Sequence, residues 1–246
     1  MFQEVKSPPL FLYMDSQQVK NQLIKFGSSS KAAHSVRFFK TGKGEYGEGD
    51  IFIGCTVPES RSVASKFKEL PLAEIEKLLH DEMHECRFCA LVILTDQFKK
   101  ANELQKEEIL NFYLNNTKWV NNWDLVDVSS YKIVGEWLKD KSDRGLLYRL
   151  ANSELLWDQR IAIVSTMTLI KNDDFDDILK LSKFFLNHKH DLIHKACGWM
   201  LREVGKRDEY ILKQFLNNFA TLMPRTMLRY SIEKLSAEER KEYMNK

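Results

Sequence analysis

Four stretches of similar character recur along the chain at a nearly fixed spacing. They are HECRFCALVIL from His84, NNWDLVDVSSY from Asn121, WDQRIAIVSTM from Trp157 and IHKACGWMLRE from Ile193. Their starts advance by roughly 36–37 residues, a spacing in the range of two-helix repeats. In three of the four, a shorter apolar helix comes just before: LAEIEKLLHDE, GLLYRLANSE and DDILKLSKFFLN. A two-helix unit cannot bury its apolar side alone, so successive units must stack. The spacing therefore predicts an all-α solenoid. An irregular helical bundle is the rival that the same pattern leaves open.

Strand signals are nearly absent. Apolar periodicity predicts helices at 16–26, 31–39, 58–69, 72–80, 85–98, 106–117, 123–139, 144–151, 159–170, 175–186, 192–204, 209–219 and 224–234. Pro58, Pro71 and Pro224 suit first helical turns. One helical unit is expected over residues 1–246, with a glycine-rich connecting segment at 40–57. That segment holds Gly42, Gly44, Gly47, Gly49 and Gly54 but no phosphate-loop motif and no preceding strand. Its backbone amides and Lys43 suit a phosphate or another anion. A structured linker is the plainer reading.

With 43% hydrophobic and 29% charged residues the composition is that of an ordinary folded protein, and the net charge of +2 says little. Its distribution says more. Between Asn187 and Lys234 the basic residues outnumber the acidic ones, and Arg202, Lys206, Arg207, Arg225 and Arg229 are placed to form a basic strip. Solvated surface charge is the alternative. Cys86 and Cys89 have a CxxC spacing but no second ligand pair, so they read as core thiols. His188, His190 and His194 show no metal-binding pattern. No metal or other cofactor is expected. No apolar run is long enough to span a membrane and no signal-peptide layout opens the chain, so a cytoplasmic protein is expected. With no assembly motif, a monomer is expected.

Stacking the four stretches in register groups Trp123, Asp127, Arg160 and Trp199. Trp123 and Asp127 are four residues apart and share one helical face. A carboxylate on an apolar face is costly unless paired, and Arg160 is the available partner for a structural ion pair. Asp124, near the helix start, suits a cap or salt bridge. Trp199 alone reads equally as core. In a basic groove, two tryptophans and a carboxylate suit a polyanion with sugar or base to contact. The carboxylate could then serve an oxocarbenium-like glycosidic cleavage. A base that already carries positive charge leaves without protonation, so no second acid is needed.

The stretches FFKTGKGEYGEGDIFIGCTVPESR, NNWDLVD, DLIHKACGWMLREVGKRD and MPRTMLRYSIEK resemble the AlkD family of bacterial DNA alkylation repair enzymes, from about Asp15 to Lys234. The resemblance implies a HEAT-like helical-repeat solenoid holding duplex DNA in a concave basic cleft. It implies a monofunctional glycosylase that removes N3- and N7-alkylated purines, such as 3-methyladenine and 7-methylguanine. No metal or nucleotide cofactor is implied, and the lesion is not flipped into a deep pocket. The catalytic carboxylate falls on Asp127, the two tryptophans that cradle the sugar on Trp123 and Trp199, and the arginine gripping a nearby phosphate on Arg160. The family commonly has two arginines before the IAIV run. Here Gln159 replaces the first, and is expected to affect DNA affinity or helix packing rather than chemistry. A non-catalytic DNA-binding or scaffold protein on the same fold is the alternative.

Overall fold

A computed structural model describes residues 14–246. The part of the expected unit that precedes Met14 lies outside the described residues. The chain opens with α1 (Ser16–Ile24) and α2 (Ser29–Phe38), and the glycine-rich segment leads to α3 (Val57–Ala64). Next come α4 (Leu72–Leu79), α5 (His84–Lys100), α6 (Glu103–Asn115) and α7 (Trp123–Ser130). A π-helical turn, Tyr131–Gly135, carries α7 directly into α8 (Glu136–Leu138). The remainder is α9 (Gly145–Ala151), α10 (Leu156–Lys171), α11 (Asp176–Phe184), α12 (Asp191–Arg207), α13 (Glu209–Phe219), α14 (Arg225–Ser231) and α15 (Ala237–Asn245). Among the described residues there is no β-strand, only an isolated parallel bridge between Ile51 and Met83.

The helices form two layers. In the inner row α3, α5, α7, α10, α12 and α14 pack each on the next. The outer helices α4, α9, α11 and α13 pack against the inner row. This is the stacked helix-pair architecture that the spacing predicts, extended by α3 and α14 at its two ends. Of the inner helices, α5 and α10 are buried nearly all round, as packing on both sides requires. On α10, Trp157 and every residue from Arg160 to Ile170 are buried. The outer helices are one-sided: α13 buries only Leu212, Phe215 and Leu216, at helical spacing. One contiguous apolar cluster runs from Val19 on α1 to Tyr243 on α15.

The departures from expectation have local causes. α15 was not anticipated, because AEERKEYMN buries only Tyr243; a capping box of Ser236 and Glu239 starts it. Pro71 and Pro224 stand at the N-caps of α4 and α14, one residue before the first turn, whereas Pro58 lies within the first turn of α3. The helix predicted over 123–139 is continuous but widens into the π turn. There Gly135 lies so close to α10 that a Cβ would sit 2.4 Å from the Ser165 carbonyl oxygen and 2.8 Å from Thr168 Oγ1. Thr168 Oγ1 donates to the Tyr131 carbonyl oxygen (2.6 Å), taking up an acceptor in the widened turn. Gly135→Ala is expected to lower stability by roughly 1–3 kcal/mol through overpacking. Urea unfolding should show a lower midpoint with an unchanged slope.

The contact between α12 and α14 closes in the same manner on Gly198, where a Cβ would lie 2.5 Å from the Met227 carbonyl oxygen. The thiols are packing groups. Cys86, Cys89 and Cys197 are buried and Cys55 is partly buried, all in the free form. Burial pushes Cys55, Cys89 and Cys197 up to about 12, far from a reactive thiolate.

Candidate functional site

The first turn of α7 begins at Asn122, whose side chain accepts from the Trp123 backbone N–H (2.8 Å). That cap fixes the direction in which Trp123 leaves the helix. Asp127 follows one turn later on the same face. From α10, Arg160 meets it with two parallel hydrogen bonds: Nε to Oδ1 (3.0 Å) and Nη2 to Oδ2 (2.8 Å). The third guanidinium nitrogen, Nη1, donates to the Leu192 carbonyl oxygen at the start of α12 (2.7 Å). Arg160 thus joins three successive inner helices. The Arg160 side chain is 5% exposed and that of Asp127 18%. The Asp127 side chain is thus partly exposed while its counter-ion is buried. Burial pushes the Asp127 carboxyl above its ordinary value, and the Arg160 charge opposes part of that rise.

Trp123 is half-buried in an aromatic group. Phe39 stacks on it with ring centroids 5.5 Å apart, and Phe38 meets it edge-on at 5.8 Å. Phe38 is 55% exposed, so an aromatic surface opens to solvent beside Trp123. Tyr46 closes another side. Its ring faces Trp157 edge-on. Burial pushes the Tyr46 phenol up.

The glycine-rich segment is held to the inner row by two buried carboxylates. Glu85 on α5 accepts from the backbone N–H groups of Ile53 (2.9 Å), Gly54 (2.8 Å) and Cys55 (3.1 Å). Asp50, within the segment, is bonded by His84 Nδ1 (3.0 Å), Arg87 Nη2 (2.5 Å) and Asn122 Nδ2 (3.1 Å). The segment is therefore a structured wall beside Trp123, in keeping with the structured linker of the sequence reading. Lys43 is exposed on its outer turn.

A family model described as DNA alkylation repair enzyme matches residues 19–235. The chain belongs to the DNA alkylation repair enzyme family. A solved structure described as a predicted DNA alkylation repair enzyme from Enterococcus faecalis shares the fold with a TM-score of 0.67. It is 17% identical, and the match covers 86% of this chain and 97% of that one. A search of curated proteins finds no match.

Of the four residues grouped in register for this repair-family chain, the structure brings Trp123, Asp127 and Arg160 together. Trp199 stands on the neighbouring α12, partly buried against the core, without a ring contact to Trp123. Arg160 occupies the ion-pair position, with all three nitrogens engaged inside the protein. The phosphate grip implied by resemblance therefore requires it to share or exchange partners. Gln159 bonds the Ser153 carbonyl oxygen (2.7 Å) and closes the loop before α10, a packing role. Asp124 does not cap α7; Asn122 does, and Asp124 bonds His84 Nε2 instead (2.8 Å).

The basic residues do not stand as a row of free cations. Arg202 is paired with Glu233, Lys206 with Glu203 (2.7 Å), and Arg207 with Asp173 (2.7 Å). Arg225 donates to the Met244 carbonyl oxygen (2.9 Å). Arg229 is exposed and has no ion-pair partner among the described residues. Exposed pairs of this kind are weak and can exchange a carboxylate for a phosphate. The residues that sequence reasoning missed are Phe38, Phe39, Tyr46, Asp50 and His84. For Tyr46 and Asp50 the only signal was an aromatic and an acid among the glycines, for Phe38 and Phe39 an aromatic pair just before them, and for His84 there was none.

Proposed function

We propose that this repair-family protein is a monofunctional DNA glycosylase hydrolysing the N-glycosidic bond of N3- and N7-alkylated purines in duplex DNA. The observation that carries the reading is Asp127: a partly exposed carboxylate side chain held in two-point contact by a buried arginine, one helical turn from Trp123. A pure polyanion binder has no use for a fixed negative charge there, because it repels phosphate. A glycosidic reaction does. As the C1′–N bond breaks, its electron pair goes to the cationic alkylpurine, which leaves neutral. The sugar is left as an oxocarbenium ion. Asp127 stabilises that charge and accepts the proton that water loses as its oxygen bonds to C1′.

Trp123 and Phe38 supply the faces that meet sugar or base, with Trp199 two inner helices further along, on α12. Arg160 fixes the carboxylate's direction. The cavities around Lys68 and Gln97, around Lys132 and Lys139, and around Phe215 and Phe219 are lined by other residues. An open site fits a lesion attacked without being flipped into a deep pocket. Lys43, Arg202, Lys206, Arg207, Arg225 and Arg229 contact phosphates in a concave basic cleft. The protein acts as a monomer in the cytoplasm, without a metal or nucleotide cofactor. No helix among the described residues is long and apolar enough to cross a membrane.

One observation favours a second reading. The Asp127–Arg160 contact satisfies itself, as a structural ion pair does, and would suit a non-catalytic protein that binds damaged DNA or serves as a scaffold. Incubation with randomly methylated duplex DNA and chromatography of the soluble fraction separates the two. Free 3-methyladenine and 7-methylguanine are expected; retention of the DNA with no free base supports the binder.

A further inference from the structure

We propose that His84 is a positioning residue for this site: its imidazolium ties the glycine-rich segment to the first turn of α7 and so sets Trp123 and Asp127. The inference rests on the glycosylase reading for its kinetic consequence but not for its structural one.

The geometry fixes the protonation state. His84 Nδ1 lies 3.0 Å from Asp50 Oδ2 and Nε2 lies 2.8 Å from Asp124 Oδ2. A neutral imidazole carries one N–H, so one carboxylate would then face a lone pair at hydrogen-bond distance. Both contacts are attractive only when the ring is doubly protonated. Charge balance agrees. Two carboxylates, Asp50 and Asp124, face one permanent cation, Arg87, and the set is neutral only with His84 charged. Glu85, the next acid on α5, is turned onto backbone N–H groups of the segment. Phe39 and Phe52, stacked on each other at 5.2 Å, both pack against the ring, at 4.9 and 4.8 Å.

His84 matters to the site through both partners. Asp124 Oδ2 is bonded by His84, while Oδ1 is buried without a partner. Without His84 a carboxylate in the first turn of α7 would be buried and unpaired, next to Trp123 and one turn from Asp127. On the other side, His84 and Asn122 hold the same oxygen of Asp50, so the segment carrying Tyr46 is registered against the cap of Trp123. Phe39 touches both the His84 and Trp123 rings and completes the path. Burial works against the charge on His84, but Asp124 and Asp50 outweigh it and bring its pKa to about 9. A raised value in a cation means the arrangement is intact below the ordinary histidine range and is lost as pH rises through about 9.

The test is single-turnover base release from pH 6 to about 10.5 for wild type, Asp124→Asn and His84→Gln, with DNA affinity measured in parallel. Wild type should lose rate as pH passes about 9. Asp124→Asn keeps an acceptor but removes the charge, so its limb should move at least about one pH unit lower. His84→Gln should be roughly 10- to 100-fold slower at neutral pH, without that limb and with similar DNA affinity. Comparing proteins on one substrate cancels the substrate's own alkaline chemistry. The same titration is read from Trp123 fluorescence, taken as the difference from Trp123→Phe. If no protein releases base, the glycosylase reading fails and the fluorescence still decides on His84. If His84→Gln does not fold, Asp124→Asn decides alone. Superimposable limbs in wild type and Asp124→Asn, or a Trp123 signal flat through pH 9, would overturn the proposal.

Discussion

Asp127→Asn is expected to lower single-turnover release of an alkylated purine by roughly 10²- to 10³-fold, the usual loss when one preorganised electrostatic group is removed from a reaction site. Asparagine keeps the volume and one acceptor oxygen, so the contact with Arg160 persists in weakened form. DNA affinity should hold or rise, because a negative charge facing the phosphates has gone. This pairing of a slow chemical step with undiminished binding separates a catalytic carboxylate from a structural one. In wild type the raised Asp127 pKa has a definite sign. In the proposed mechanism the carboxylate form is the active one, so activity is expected to fall as pH drops and Asp127 protonates. The fall should begin above the range of an ordinary aspartate, about 3.9. Superposed rates for the variant and wild type would remove Asp127 from the chemistry.

Arg160→Met is expected to cost about 3 kcal/mol of stability, near the lower end of the range for breaking a buried pair. The lower end applies because the Asp127 side chain is partly exposed and can take up a proton. Three bonds are lost: two to the carboxylate and one to the Leu192 carbonyl oxygen. Methionine fills much of the volume, so the loss should come from electrostatics rather than from a cavity. The variant also makes a kinetic prediction. Without Arg160, nothing opposes the burial that raises the Asp127 pKa. The acid limb of base release should therefore move toward neutral pH. Chemical denaturation and a pH–rate profile on the same preparation check both parts. A large stability loss with an unmoved acid limb would make Arg160 a structural strut alone.

The inner helical row was legible in the sequence because its pattern is set locally. A stretch such as RIAIVSTMTLI carries apolar residues on every side, and a position between two neighbouring helices buries all of it. Stacking those stretches also brought Trp123, Asp127 and Arg160 into one group, since side chains at matching positions of successive repeats are neighbours. The glycine-rich segment was not legible. Asp50 is bonded to His84 and to Asn122, 34 and 72 residues further along. Neither partner is marked by local spacing, and glycines signal a turn without saying what the turn packs against. The same limit hid the state of the basic residues. Composition counts Arg202 and Arg207 as available cations, whereas Glu233 and Asp173, about thirty residues away, already hold them. Arg160 was legible as a partner of Asp127; its bond to the Leu192 carbonyl oxygen was not, because no sequence pattern announces a backbone acceptor.

The central claim is that the Asp127 carboxylate, one helical turn from Trp123, breaks a glycosidic bond. The most direct test is a duplex with one 7-methylguanine at a defined position, mixed with excess wild-type protein. Free 7-methylguanine is expected, with a strand that stays intact until the abasic site is cleaved by alkali. Tight, lesion-selective binding with no released base over the same time would contradict the claim.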